Sequence, residues 1–156
     1  MSDLGTIAGA DGIESAINGL WAANSALVAV VPADRLITGR VPPSEEMPYV
    51  RLAPDAGDNT DRTNATLYQA AKVAFHVWSD TFDRGREIAA LIRNAFASLA
   101  FDWASGGVLD MRWDGPPASH QTTDAEIKAW ETVVTFTAQT WEQRQDTFAT
   151  TSSGGD

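Results

Sequence analysis

The sequence has no cysteine and only two histidines. The absence of cysteine excludes disulfide bonds, thiolate chemistry and every zinc or iron–sulfur site that depends on cysteine. The two histidines, His76 and His120, have no carboxylate partner at the fixed spacing that a metal site requires. We therefore expect neither a metal ion nor another cofactor.

Basic residues are also scarce. Lysine and arginine together number 11 against 21 aspartates and glutamates, so the formal net charge is −10. The two lysines are Lys72 and Lys128, and the arginines are scattered along the chain. Proteins that grip DNA neutralise phosphates with clustered basic side chains, so binding to nucleic acid or to an anionic membrane is disfavoured. An acidic surface still allows DNA to pass close by without being bound.

Long apolar runs are missing as well. No segment has the apolar length needed to span a bilayer, and the first 12 residues lack the basic and apolar regions of a secretory signal. The sequence therefore predicts a protein that stays in the cytoplasm unless it joins a larger particle that leaves the cell. A length of 156 residues, 44% hydrophobic content and six tryptophans predict one folded domain.

Catalytic motifs are absent too. Glycine patterns give neither a phosphate loop nor a dinucleotide fingerprint. A triad could be drawn from Ser119, His120 and Asp124, but sequence neighbours rarely form one and no nucleophile-elbow motif is present. We therefore expect that the protein is not an enzyme.

The most ordered pattern in the sequence is a strand followed at once by an amphipathic helix. Residues 67–79 alternate with a period of two, which predicts a strand with one apolar and one more polar face. The apolar positions are Leu67, Ala71, Val73, Phe75 and Val77, and the opposite face carries Tyr68, Lys72, His76 and Trp78. A sheet face and a helix that meet without a linker bury each other, so Phe75 and Val77 are predicted to lie under the helix.

The helix itself is marked at its start and along one side. Possible N-cap oxygens come from Ser79, Asp80 and Thr81, and Asp83 stands where the helix dipole favours an anion. Apolar residues then recur at helical spacing, namely Ile88, Leu91, Ile92, Ala95 and Leu99.

Shorter elements complete an α+β fold. A capping-box spacing at Asp11–Glu14 predicts a first helix, and a short second helix ends before Pro32. Further strands are predicted within Arg35–Val41 and at Tyr49–Leu52, Val108–Trp113 and Ile127–Trp141, with turns or loops at 101–107 and 115–124. We predict a mostly antiparallel sheet of four to five strands packed against two main helices. The predicted organisation is a flexible N-terminus at 1–11, a single domain at 12–142 and a disordered tail at 143–156.

A long polar loop is predicted from Ala53 to Thr66. It carries Asp55, Asp58 and Asp61, which lack the spacing of a calcium loop, so a solvated acidic loop is the simpler interpretation. Loops of this length in a small domain are usually functional or disordered. An enzyme or small-ligand binder that uses this loop as a lid is the alternative from another functional class.

The two long predicted strands, at residues 67–80 and Ile127–Trp141, make pairing with another subunit one of two options. A strand over residues 67–80 would extend about 45 Å, whereas a domain of this size is about 40 Å across. Either a bulge interrupts these strands or their ends pair with a neighbour. We predict that an interface includes Tyr68, Lys72, His76, Trp78, Asp55, Asp58, Asp61 and His120.

The order of elements resembles the tail-completion or tail-terminator family of long-tailed bacteriophages. The resemblance covers about Ile13 to Glu142. Its more specific pieces are Pro48-Tyr49-Val50 and Phe75-His76-Val77-Trp78-Ser79 with the helix that follows. It implies an α+β subunit without catalytic residues, which assembles into a ring, generally a hexamer.

The resemblance also implies partners and a location. The ring would cap the tail tube protein and join it to the head connector, with the tape-measure protein and DNA passing through its lumen. The protein would then belong to the virion, after assembly in the host cytoplasm. A head-completion or stopper protein of the neck is the neighbouring alternative, since the same charge argument applies to it.

Overall fold

The computed structural model describes residues 4–39, 46–62, 66–122 and 128–143. In those ranges the α-helices are α1 (Leu4–Ala23), α2 (Ser25–Val30) and α3 (Phe82–Phe96), with a short 3-10 helix at Ala33–Arg35. The strands are β1 (Leu36–Thr38), β2 (Tyr49–Arg62), β3 (Thr66–Ser79), β4 (Phe101–Trp103), β5 (Gly106–Trp113), β6 (Ala118–Gln121) and β7 (Trp130–Gln143).

All seven described strands belong to one sheet. The order is β1-β2-β3-β7-β5-β4, and β6 also pairs with β7. β1 runs parallel to β2 and every other pair is antiparallel. The predicted α+β class is confirmed. The sheet, however, is mixed and has more than the predicted four to five strands, because short segments fill both sides of the three long ones.

The hydrophobic core lies between this sheet and the helices. An aromatic cluster occupies its centre: the ring of Phe75 on β3 stacks at 5.4 Å on Phe96 of α3 and at 6.3 Å on Trp21 of α1. Phe136 on β7 meets the Phe75 ring edge-on at 5.8 Å. Trp21 is fully buried, and its Nε1–H donates to the Val31 carbonyl at 2.9 Å. Burial of this indole therefore leaves no unpaired donor.

The central strand and helix form as predicted. Along β3, Ala71, Val73, Phe75 and Val77 are buried, and the residues between them are half-buried or exposed. α3 begins after Thr81, whose side chain accepts from the Arg84 backbone N–H at 3.1 Å. Ile88 and Ile92 are buried, but the stripe closes with Phe96 rather than Leu99, because the helix ends there.

The predicted loop from Ala53 to Thr66 is wrong. β2 continues to Arg62 and β3 begins at Thr66, so most of this segment forms a long hairpin. Its register shifts between Ala56 and Thr60, which marks a bulge or irregularity in β2. The polar composition suggested a loop, but ladder hydrogen bonds to β3 need only backbone groups and do not depend on apolar side chains.

Smaller corrections concern the ends and turns. α1 starts at Leu4 instead of Asp11, and Gly12 lies within it against Trp103, whose indole a Cβ at that position would overlap. The turn predicted at 101–107 contains β4, and β6 lies inside the loop predicted at 115–124. The boundaries at 1–11, 12–142 and 143–156 stay a prediction, and residues 144–156 lie outside the described ranges.

Candidate interaction surface

One face of the sheet carries the helices, and no described helix covers the other, which we call the open face. Strand register assigns its members. They include Tyr49, Arg51, Ala53 and Asp55 of β2, Tyr68, Lys72, Ala74, His76 and Trp78 of β3, Glu131, Val133, Thr135, Thr137 and Trp141 of β7, Arg112 of β5 and His120 of β6. The open face is therefore a mixed surface of aromatic, charged and hydroxyl side chains.

Most of the residues predicted from sequence for an interface lie on this face. Tyr68, Lys72, His76 and Trp78 alternate with the core positions of β3, as the period of two requires. Asp55 on β2 stands opposite Lys72. The backbones of Asp58 and Asp61 belong to β2, and their side chains lie outside the described part of the structure.

The two histidines share one carboxylate on the open face. Glu131 Oε2 lies 2.8 Å from His76 Nδ1, and Glu131 Oε1 lies 2.9 Å from His120 Nε2. The His76 and Glu131 side chains are 21% and 15% exposed, whereas that of His120 is 61% exposed. Each carboxylate oxygen thus serves a different ring, so Glu131 bridges β3 and β6 across the strand on which it lies.

A second polar cluster lies farther along the same face. Lys72 Nζ is 3.1 Å from Asp114 Oδ2 and donates to Thr137 Oγ1 at 2.9 Å. Thr137 Oγ1 in turn lies 2.9 Å from Asp114 Oδ1, and Arg112 Nε approaches that oxygen at 3.8 Å. Asp114, with a side chain 20% exposed, is therefore held by three neighbours from three strands. These contacts connect side chains of β3, β5 and β7 on the open face.

Aromatic stacking continues the surface toward the other end of β3. The rings of Tyr49 and Trp78 stack at 6.3 Å across the β2–β3 pair. Rigid aromatic side chains supply contact area at little entropic cost, and they are enriched at protein interfaces. The open face thus offers pre-arranged polar groups with an aromatic pair at one end.

Ser119 and His120, two members of the triad considered from the sequence, bind other partners. Ser119 Oγ lies 3.1 Å from Thr132 Oγ1, while His120 is bound to Glu131, so the two do not form a nucleophile and base pair. Asp124 lies outside the described ranges. Within those ranges no three histidine or acidic side chains are placed to hold a metal ion. No helix that the structure describes is long and apolar enough to cross a bilayer.

Sequence reasoning missed Glu131 and Asp114 as members of this surface. Both become important through the pairing of β7 with β3, β5 and β6, which no local pattern specifies. A signal existed for Glu131, because it alternates with the apolar positions Val134 and Phe136 and so belongs on the polar side of its strand. Its pairing with both histidines required the register.

Comparison with known families adds to this geometry. Residues 15–140 match the family described as Tail completion protein gp17. The chain belongs to this family. It is therefore a structural protein of the phage virion, a component of the tail or neck region. The family resemblance inferred from the order of elements is confirmed.

A solved structure shows the same fold. The matching chain comes from a structure titled "Virion of native gene transfer agent (GTA) particle", with a TM-score of 0.64 and 18% sequence identity. The alignment covers 83% of this chain and 96% of that chain. No curated protein sequence matches. At 18% identity the likeness concerns the fold, and the family match carries the assignment.

Proposed function

We propose that this protein caps the end of the phage tail tube as a ring of subunits and forms the joint to the head connector. The observation that carries the proposal is the family match, which spans residues 15–140. Six subunits is the expected stoichiometry, from the family resemblance. In this role the chain contributes surfaces and shape rather than chemistry.

The charge of the chain supports a ring through which DNA travels. A subunit with a formal charge of −10 repels phosphate, so the genome does not stick to the ring as it passes. Two lysines and nine arginines spread along the sequence leave no dense basic track for the backbone of DNA. The tape-measure protein would occupy the same lumen before the DNA does.

The open face supports contact with neighbouring subunits or virion proteins. Its hydrogen-bonded groups are already positioned, so binding orders few additional side chains and loses little entropy. We assign to this interface Tyr68, Lys72, His76, Trp78 and His120, together with the acidic β2 residues Asp55, Asp58 and Asp61. The partners we propose are a second copy of this chain, the tail tube protein and the connector or stopper.

Cryo-electron microscopy of the particle that contains this protein tests the proposal. We expect a closed ring of copies between the end of the tail tube and the head connector. Particles made without the protein should yield heads and tails that fail to join. A single copy at the joint, or a location elsewhere in the particle, would contradict the ring. Co-purification with the portal instead of the tail tube protein would favour the stopper alternative.

A further inference from the structure

A groove lies on the helix-covered side of the sheet, separate from the open face. Its volume is about 200 Å³, and it runs between α3 and the segment that follows β5. We call it the arginine groove. It is lined by Arg86, Ala89, Ala90 and Arg93 of α3, together with Trp113, Pro116, Pro117 and Val134.

The two arginines are held in the groove by aromatic rings and a carbonyl. The guanidinium of Arg93 lies 4.8 Å from the centre of the Trp113 ring, and that of Arg86 lies 5.5 Å from the Phe82 ring. Arg86 Nη1 also donates to the Pro117 carbonyl at 3.2 Å. Such contacts orient a guanidinium while leaving its charge uncompensated.

No carboxylate in the described residues forms an ion pair with either arginine. This differs from Arg35, Arg84 and Arg112, each of which has an acidic partner. In a chain with ten more acidic than basic residues, two unpaired and oriented guanidinium groups favour an acidic ligand. The groove wall also contains the Trp113 Nε1–H, which is buried without an acceptor among those residues.

We propose that the arginine groove of one subunit receives the acidic end of the β2–β3 hairpin, residues 58–61, from a neighbouring copy of this chain. The inference rests on the proposed ring. It identifies the surface that Asp58 and Asp61, two residues of the predicted interface, would contact. Asp58 and Asp61 provide the carboxylates, and the backbone of the hairpin provides carbonyl groups. The contact joins two different surfaces, which is the heterologous geometry that closes a ring.

The hairpin of the same chain does not reach the groove. Asp61 pairs with Tyr68, and Tyr68 pairs with Trp141 on β7. Trp141 is seven residues from Val134 in the groove wall, which corresponds to about 23 Å along the strand. β3 and β7 also stand between β2 and the β5–β6 side of the sheet. A second copy is thus needed to bring the acidic end of β2 to the arginines.

Disulfide trapping tests the contact directly, because the natural chain has no cysteine. We would make the double variant Ala90→Cys with Asp58→Cys, since Ala90 is exposed on the groove rim. In assembled particles under oxidising conditions we expect a ladder of linked subunits up to the full ring. The matched control pairs Asp58→Cys with Asp34→Cys, which is exposed in the 3-10 helix outside the groove. The control should link at least about tenfold less, since cysteines far apart cannot bridge.

Charge reversal gives an independent readout. Arg93→Glu should lower incorporation into particles by about tenfold, which corresponds to the loss of one close charge pair. Adding Asp58→Arg to the same chain should restore incorporation to within about twofold. Arg84→Glu is the control on the same helix, because Arg84 pairs with Glu87 outside the groove. It should leave incorporation unchanged to within about twofold, and circular dichroism verifies that each variant is folded.

The outcomes separate this inference from the proposed function. A ring of copies with neither the Ala90–Asp58 link nor the charge rescue overturns the groove contact and leaves the ring standing. A link from Ala90 to a different virion protein also overturns it, because the occupant is then not a second copy. A single copy at the joint overturns both.

Discussion

The two faces of the sheet are built by alternate residues of the same strands, yet they obey different rules. On the helix-covered face, β3 and β7 place apolar side chains such as Phe75 and Phe136 in a close-packed aromatic cluster. On the open face the residues next to them have polar partners: His76 contacts Glu131, and Thr137 donates a hydrogen bond to Asp114. The period of two thus places core-packing residues and polar-contact residues on opposite faces of the same strands.

The difference predicts where mutations matter. Burial of apolar surface on the helix-covered face holds the single subunit together, because each buried ring removes area from water. Ion pairs on a partly exposed face add little to the free energy of unfolding of a monomer. If a partner protein covers these ion pairs, we expect them to affect the free energy of association more than that of folding. Mutations on the two faces should therefore differ in what they disturb, with the largest loss of stability in the core.

Phe75→Ala should strongly destabilise the core on the helix-covered face. Phe75 is fully buried and contacts the rings of Trp21, Phe96 and Phe136, so its truncation leaves a cavity in the cluster. We expect the free energy of unfolding to fall by about 3–5 kcal/mol, measured by denaturant unfolding of the isolated subunit. An equal loss for His76→Ala would mean that the two faces are wrongly assigned.

Gly85→Ala should reverse the usual effect of alanine in a helix. A Cβ on Gly85 would lie 2.6 Å from Thr132 Oγ1 and 2.9 Å from Ser79 Oγ, so either α3 or these two buried, hydrogen-bonded hydroxyls would have to shift. We expect a loss of about 1–3 kcal/mol from overpacking. The control is Gly19→Ala in α1, where no atom lies within 4 Å of the added Cβ. That change should gain about 0.5–1 kcal/mol, and thermal unfolding of both variants would reveal opposite signs.

His76→Ala should separate folding from association. The change removes one of the two histidines on Glu131 but leaves the core untouched, so we expect a loss of at most about 1 kcal/mol in the monomer. Incorporation into particles should fall more clearly. His120→Ala, at the more exposed end of the same cluster, is the milder companion. Unchanged incorporation for both variants would argue against the open face as an interface.

Glu142→Gln should produce the smallest change. Partial burial raises the pKa of the Glu142 carboxyl above its ordinary value. The folded state then holds this proton more tightly than the unfolded state does, so the burial costs stability at neutral pH and the cost fades as pH drops through the raised pKa. We expect Glu142→Gln to gain up to about 0.5 kcal/mol at pH 7 and nothing near pH 3. A larger gain at low pH than at pH 7 would contradict this reasoning.

The structural features that could be predicted from the sequence are those that depend on neighbouring residues along the chain. The alternation in β3 and the stripe on α3 are local patterns, so both elements and the burial of Phe75 were predictable. The extension of β2 through Asp58 and Asp61 was not, because a chain of polar residues becomes a strand only when a partner such as β3 is present.

The candidate surface was predictable in part for the same reason. The side of β3 that carries Lys72 and His76 follows from the period of two, whereas the partners Asp114 and Glu131 follow from long-range register. The arginine groove could not be predicted from the sequence either. Its walls come from segments that are brought together only by the packing of α3 on β7, and Trp113 gives no sign in sequence of the neighbour above it.

The outer edge of β2 has a consequence for the protein before assembly. β1 pairs with Val50, Arg51 and Leu52, and no strand in the described ranges pairs with that edge beyond them. An open strand edge is a template on which other chains can polymerise into insoluble aggregates. Here Pro54 has no backbone N–H to donate, and the register shift interrupts the regular edge. The segment that the sequence predicted as a loop thus carries two features that disfavour pairing of another chain with this edge.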